Sequence, residues 1–204
     1  ILFTALALGI VSTNVSAIKI DGAEKPRNNF LTSSFVKRQV EQSMSIGRAI
    51  KTIIGHYPQD AIVVVSTALD LYPERYKEVI HAAISAEPAL TGEVVTLAIE
   101  KGISTCSSIV ETAINAEPSY VDFVVRAAAY STPEELGEIV RIAVVTEPDS
   151  ADSIVQTLTR SHPNDMVEII KTAVSTMPIV GEYVVDALLA AFPDQAEQVV
   201  TTAI

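Results

Sequence analysis

The sequence predicts an all-α solenoid, a superhelix of 15-residue single-helix repeats that pair into 30-residue helical hairpins, and three observations carry that prediction. Prolines stand at positions 58, 73, 88, 118, 133, 148, 163, 178 and 193, each 15 residues after the last or, across Ile103, twice 15. Counted from each proline as zero, an aliphatic pair recurs at +6 and +7, from Val64-Val65 and Val79-Ile80 through to Val184-Val185 and Val199-Val200. The residues before proline alternate with a period of 30: Ala86-Glu87, Ala116-Glu117, Thr146-Glu147 and Thr176-Met177 form one class, and Leu71-Tyr72, Ser131-Thr132, Ser161-His162 and Ala191-Phe192 the other.

Each repeat reads as a helix because its apolar positions are +3, +6, +7, +10 and +11, with pairs such as Ala68-Leu69, Ala98-Ile99 and Ala143-Val144 at the last two. A turn of 3.6 residues brings positions so spaced onto one face, which outweighs the strand preference of the many Val and Ile residues. Proline fits the first helical turn, where its missing N–H costs nothing, and it stops the preceding helix by disfavouring α geometry one residue earlier. Acids follow it at Asp60, Glu74, Glu134, Glu135, Asp149, Asp165 and Asp194, complementing the positive end of the helix dipole. Helices of roughly 11 residues are about 16 Å long. Short connections between them make antiparallel pairs, which stack. Side chains that are 49% hydrophobic but only 5% aromatic, with no Trp, suit such thin layers.

Traced backwards, the register holds to Ser43, with Ala49-Ile50 and Ile53-Ile54 in place, so the solenoid is expected over 43–204. Residues 18–42 read as a basic arm or linker that leads into a helix around Ser34–Met44. Residues 1–17 are uncharged, apolar to Val11, and end Val15-Ser16-Ala17, as a secretory signal peptide does; they are either cleaved after Ala17 or retained as an apolar segment. That run is too short for a stable membrane span, which takes about 20 apolar residues.

The architecture resembles the α-solenoid class that includes tetratricopeptide and HEAT arrays. The resemblance is one of architecture, because the period of 30 is shorter than theirs and the tetratricopeptide Trp and the ankyrin Thr-Pro-Leu-His are absent.

Charge separates along the chain. Residues 18–51 hold seven of the fourteen basic groups against Asp21, Glu24 and Glu41, whereas 52–204 carry 22 acids against seven bases. A body at −15 repels nucleic acid and anionic membrane, so neither is an expected partner.

Chemistry is sparse. His56, His81 and His162 lie in different registers, and a metal needs three or four converging ligands. Cys106 occupies +3, a core position, where a thiol is usually inert packing. Glu134, Glu135, Glu138, Asp149 and Asp152 lie in first turns or on the polar face, and no Asp-x-Asp-x-Asp-Gly calcium loop, glycine-rich phosphate loop or Gly-x-Ser-x-Gly elbow is present. No catalytic residue, metal site or cofactor is expected.

One surface departs from the plain pattern. In the helices led by Pro88, Pro118 and Pro178, positions +2 and +5 add Leu90, Tyr120, Phe123, Val180 and Tyr183 to the apolar set, whereas the other helix class has Arg75, Thr105, Glu135, Asp165 and Gln195 at +2. These five are the candidate interaction residues, the alternative being the tighter inner face of the superhelix. The resulting expectation is an exported, non-enzymatic structural protein of a bacterial periplasm, surface or exterior, self-assembling head to tail through uncapped solenoid ends. The alternative is a monomeric exported module that holds a protein or peptide along the aromatic surface.

Overall fold

The structure, a computed structural model, describes the backbone of residues 25–203 and the side chains of residues 32–202. The signal-like segment 1–17 lies outside the described residues. The chain is an all-α helical repeat solenoid with twelve α-helices among the described residues: α1 Lys25–Ser43, α2 Ile46–His56, α3 Ala61–Leu71, α4 Tyr76–Ala86, α5 Thr91–Glu100, α6 Cys106–Ala116, α7 Val121–Ser131, α8 Leu136–Thr146, α9 Ala151–Ser161, α10 Met166–Thr176, α11 Gly181–Ala191 and α12 Ala196–Ala203.

Helices stack on the helix two along rather than only on their neighbour, which builds two layers. One layer, here layer A, holds α3, α5, α7, α9 and α11; layer B holds α2, α4, α6, α8, α10 and α12. The shared core runs between them, and the +6/+7 pairs fill it: Val79, Ile80, Val94, Val95, Ile109, Val110, Ile139 and Val140 are all fully buried. Position +3 sets the layers apart. From α2 to α11 it carries Ala61, Thr91, Val121, Ala151 and Gly181 in layer A but Ile46, Tyr76, Cys106, Leu136 and Met166 in layer B.

The sequence places each proline in a first α-helical turn, and the structure makes that turn a separate 3-10 turn of three residues, with the α-helix starting at +3. The tighter winding follows from a bond between the +2 amide and the carbonyl before proline, as from Asp60 N to Tyr57 O at 3.0 Å. The residue before proline is held off the α region, and its ψ differs between the two connections. It is 73–89° at Glu87, Glu117, Glu147 and Met177 and 56–69° at Tyr72, Thr132, His162 and Phe192, with Tyr57 at 62°.

Two junctions lack proline and its 3-10 turn and are built by another route. Gly102 (φ 60°) and Met44 (φ 54°) end their helices in the left-handed region. Thr105 and Ser45 then cap the next ones, each side-chain oxygen accepting from a backbone N–H three residues on, that of Ser108 or Arg48, at 3.3 Å. A left-handed conformation is costly for any side chain with a Cβ, and Met44 is 88% exposed and gains little packing in return. Replacing Met44 with Gly is therefore expected to stabilise the protein by about 1 kcal/mol, read as a Tm higher by roughly 2–4 °C; a lower Tm contradicts this account of the junction.

The basic arm expected over 18–42 needs correction. From Lys25 onwards it is α1, which begins nine residues before the expected Ser34 and packs on both α2 and α3. Val36 is fully buried, with Phe35 and Val40 packed beside it, so one apolar edge docks α1 while Ser34, Lys37, Arg38, Glu41 and Gln42 face solvent. A helix of this kind is a polar cap over the first repeat.

Candidate interaction surface

The lateral surface of layer A carries the aromatic residues, and that of layer B carries a polar ladder. In layer B the rungs join helices 30 residues apart. Glu78 Oε1 of α4 accepts from the Gly47 amide at 2.9 Å and from Ser45 Oγ at 3.1 Å on α2. Glu138 Oε1 of α8 accepts from Ser107 Oγ of α6 at 2.8 Å, and Arg141 Nε donates to Glu138 Oε2 at 2.7 Å. The same position in α10, Glu168, lies so close to Gly137 of α8 that a Cβ there would stand 3.1 Å from its Oε1. Each of these Glu residues thus sits over a Gly or Ser at +4 of the helix below. The Gly47 amide, with help from Arg75 and Ser45, holds the Glu78 carboxyl below its usual range; Arg141 and then Ser107 hold that of Glu138 down at about 2. These carboxylates are structural acceptors.

Layer A places the five candidate residues unevenly. Phe123 and Tyr183, at +5, are 48% and 63% exposed. Tyr120 is half-buried and stacks its ring on Phe123 with centroids 5.3 Å apart. Leu90 is half-buried against the core, and Val180 is buried outright, so these two belong to packing rather than to a surface. The reason is the 3-10 turn: Pro178–Val180 lies against α10, and Val180 stands four residues before the buried Val184, on the core side.

Tyr130, 84% exposed, is a surface residue that the sequence reading missed. It had a signal, because Phe123, Arg126 and Tyr130 are spaced i, i+3, i+7 along one face of α7. Ile179, in the turn before α11, and Val63 of α3 extend the apolar exposure.

Between α5 and α7 this face opens into a groove of about 600 Å³. Glu93, Thr96 and Glu100 form its α5 side and Phe123, Arg126 and Tyr130 its α7 side, over an apolar floor that includes Ile62 and Leu97. Gly92 and Ala89 keep the α5 side low. The Arg126 guanidinium lies 5.5 Å from the centroid of the Phe123 ring. Among the described residues, Glu93 and Glu100 make no ion pair, whereas Asp70 is paired with Lys101 at 2.5 Å and Asp122 accepts from Ser153 Oγ at 2.8 Å. A smaller groove of about 350 Å³ between α9 and α11 is bordered by Asp149, Asp152, Ile179 and Tyr183.

The groups considered for chemistry remain apart. Among the described residues, no three of His, Cys, Asp and Glu converge on a point that could hold a metal ion. The imidazole Nδ1 atoms of His56, His81 and His162 lie against Thr52 O, Ser85 Oγ and Ser161 Oγ respectively, at 2.7–3.3 Å, so each histidine pairs within its own helix or turn. Cys106 is buried, with Thr132 Oγ1 donating to its Sγ at 3.3 Å, and burial pushes its thiol above the ordinary range. No single helix among the described residues is long and apolar enough to cross a membrane. Comparison of the chain with protein-family models, with curated proteins and with solved structures gives no match.

Proposed function

We propose that this protein is a non-catalytic scaffold that associates with itself, the basic N-terminal end of one copy meeting the acidic side of another. The observation that carries this reading is the separation of charge along the array. Residues 25–56, which make α1 and α2, hold six basic groups against the single acid Glu41, whereas residues 57–203 hold 22 acids against seven bases. Lys37, Arg38, Arg48 and Lys51 are all exposed. Potentials of opposite sign at the end and along the side of one body steer copies together, and a contact between two different patches leaves one of each free on the outer copies, so it builds chains or rings rather than dimers alone.

The contact proposed differs from end-to-end stacking in one respect. Because α1 covers the first repeat with a polar, basic surface, its complement is the acidic side rather than an apolar end.

Sedimentation velocity tests the reading. At about 0.01 M ionic strength, where the Debye length is ~30 Å, species larger than the monomer are expected; at about 1 M, where it is ~3 Å, they dissociate. A monomer under both conditions, or an oligomer indifferent to salt, contradicts it. A second reading, a monomeric module that holds a segment of another protein, is favoured by the exposed rings of Phe123, Tyr130 and Tyr183 along one layer.

A further inference from the structure

Resting on the self-association proposed above, we infer that the groove between α5 and α7 receives the exposed face of α1 from a second copy, with Lys37 and Arg38 as the inserted side chains. The two layers differ in charge as well as in aromatic content. The helices of layer A contain seven acids (Asp70, Glu93, Glu100, Asp122, Asp152, Glu182 and Asp186) against Arg126 and Arg160, whereas those of layer B contain five of each sign. A basic helix is therefore drawn to layer A.

Within layer A the α5–α7 groove is the best receptor on three counts. It is the larger, at about 600 Å³ against about 350 Å³ between α9 and α11. Its two carboxylates, on Glu93 and Glu100, are exposed and have no ion-pair partner among the described residues. They face the exposed rings of α7 across an apolar floor. Lys and Arg side chains suit this combination, because their methylene stems cover apolar surface while their charged heads reach carboxylates or lie over an aromatic face. Arg126 already sits over Phe123 in this way, so the groove accommodates a guanidinium on its aromatic side, and Tyr130 is left open. On the incoming helix, Lys37 and Arg38 are exposed on the side that carries Ser34, Glu41 and Gln42, and the Arg38 guanidinium, now 5.8 Å from the centroid of the Phe35 ring, exchanges that ring for the groove.

Arg126 is the one cation lining the groove among the described residues, and it repels the incoming pair. Arg126→Gln is therefore expected to tighten association, by roughly twofold to fivefold for one exposed charge.

The test is complementation, read by sedimentation velocity at low salt with helicity checked by circular dichroism. One full-length variant carries Lys37→Glu and Arg38→Glu, and the other Glu93→Lys and Glu100→Lys. Each alone is expected to associate at least about tenfold more weakly than wild type, since each places like charges together. An equimolar mixture restores association, because the unaltered α1 of the second variant meets the unaltered groove of the first. Asp149→Lys with Asp152→Lys makes the same change in net charge at the α9–α11 groove and is expected to cost clearly less. If the Glu93/Glu100 variant associates like wild type while the Lys37/Arg38 variant does not, the groove assignment is overturned and self-association stands. A wild-type protein that stays monomeric overturns both.

Discussion

Replacing Ile139 with Ala is expected to lower the stability of the array by about 2–5 kcal/mol, the usual range for emptying a fully buried aliphatic site. Ile139 stands at +6 of α8, is fully buried, and lies in the middle of the array with repeats on both sides. In a stack whose repeats touch only their neighbours, stability is close to a sum of repeat and interface terms, so a weak point at the centre also divides the cooperative unit. Denaturant unfolding of the variant should show a lower midpoint and a broader or two-step transition. The same truncation at Val200, the +7 position of α12, acts on a side chain that is 41% exposed, and is expected to cost less than about 1 kcal/mol. Equal losses at the two sites contradict the picture of a core that runs between the layers.

The core and the connections were legible because they depend on spacing alone. The +6/+7 pairs are buried from α2 to α10, and the two classes of residue before proline are the two classes of backbone turn. What the spacing hides is decided by the stacking of helices 30 residues apart. Glu78 and Glu138 look like surface acids, and their acceptor role emerges only when Gly47 and Ser107 are seen beneath them, just as the close fit of Glu168 emerges only with Gly137 beneath it. The candidate surface was half legible. Phe123 and Tyr183 are exposed as expected, but Leu90 and Val180 were grouped with them by composition, although +2 lies four residues before +6 and so turns towards the core. Tyr130 was lost for the opposite reason, since +12 is occupied by Asp70, Glu100 and Arg160 in other helices of the layer and shows no apolar pattern. The length of α1 was obscured because its outer face is polar, and Pro26 stands in its first turn, where a proline does not interrupt a helix.

Removing a 30-residue unit and removing a 15-residue unit are expected to have very different effects, although the second deletes less. Without residues 118–147, Glu117 is followed by Pro148, the same Glu-Pro step that precedes Pro148 in the intact chain, and α9 takes the place of α7 in layer A. Every later helix keeps its layer, and the shortened array should fold and melt cooperatively. It also loses Phe123, Arg126 and Tyr130, so its self-association should fall to that of a chain without the groove.

Without residues 118–132, α8 must enter layer A and every later helix changes side. Leu136 then fills a slot shaped for Val121 and Met166 one shaped for Ala151, while Ala151 and Gly181 leave voids in layer B. Such mismatches cost about 1–3 kcal/mol each where the core is overfilled. Glu138 also loses Ser107 and comes into the layer that holds acids such as Glu93 and Glu100.

The association proposed depends on the two layers not being interchangeable, and the thermal melts of these two deletions, followed side by side by circular dichroism, test that directly. The expected result is one cooperative transition for the chain lacking 118–147, and for the chain lacking 118–132 a Tm lower by roughly 10 °C or more, or a loss of cooperativity. Two melts of equal midpoint and sharpness would mean that either kind of helix fits either layer, and would contradict the two-sided array.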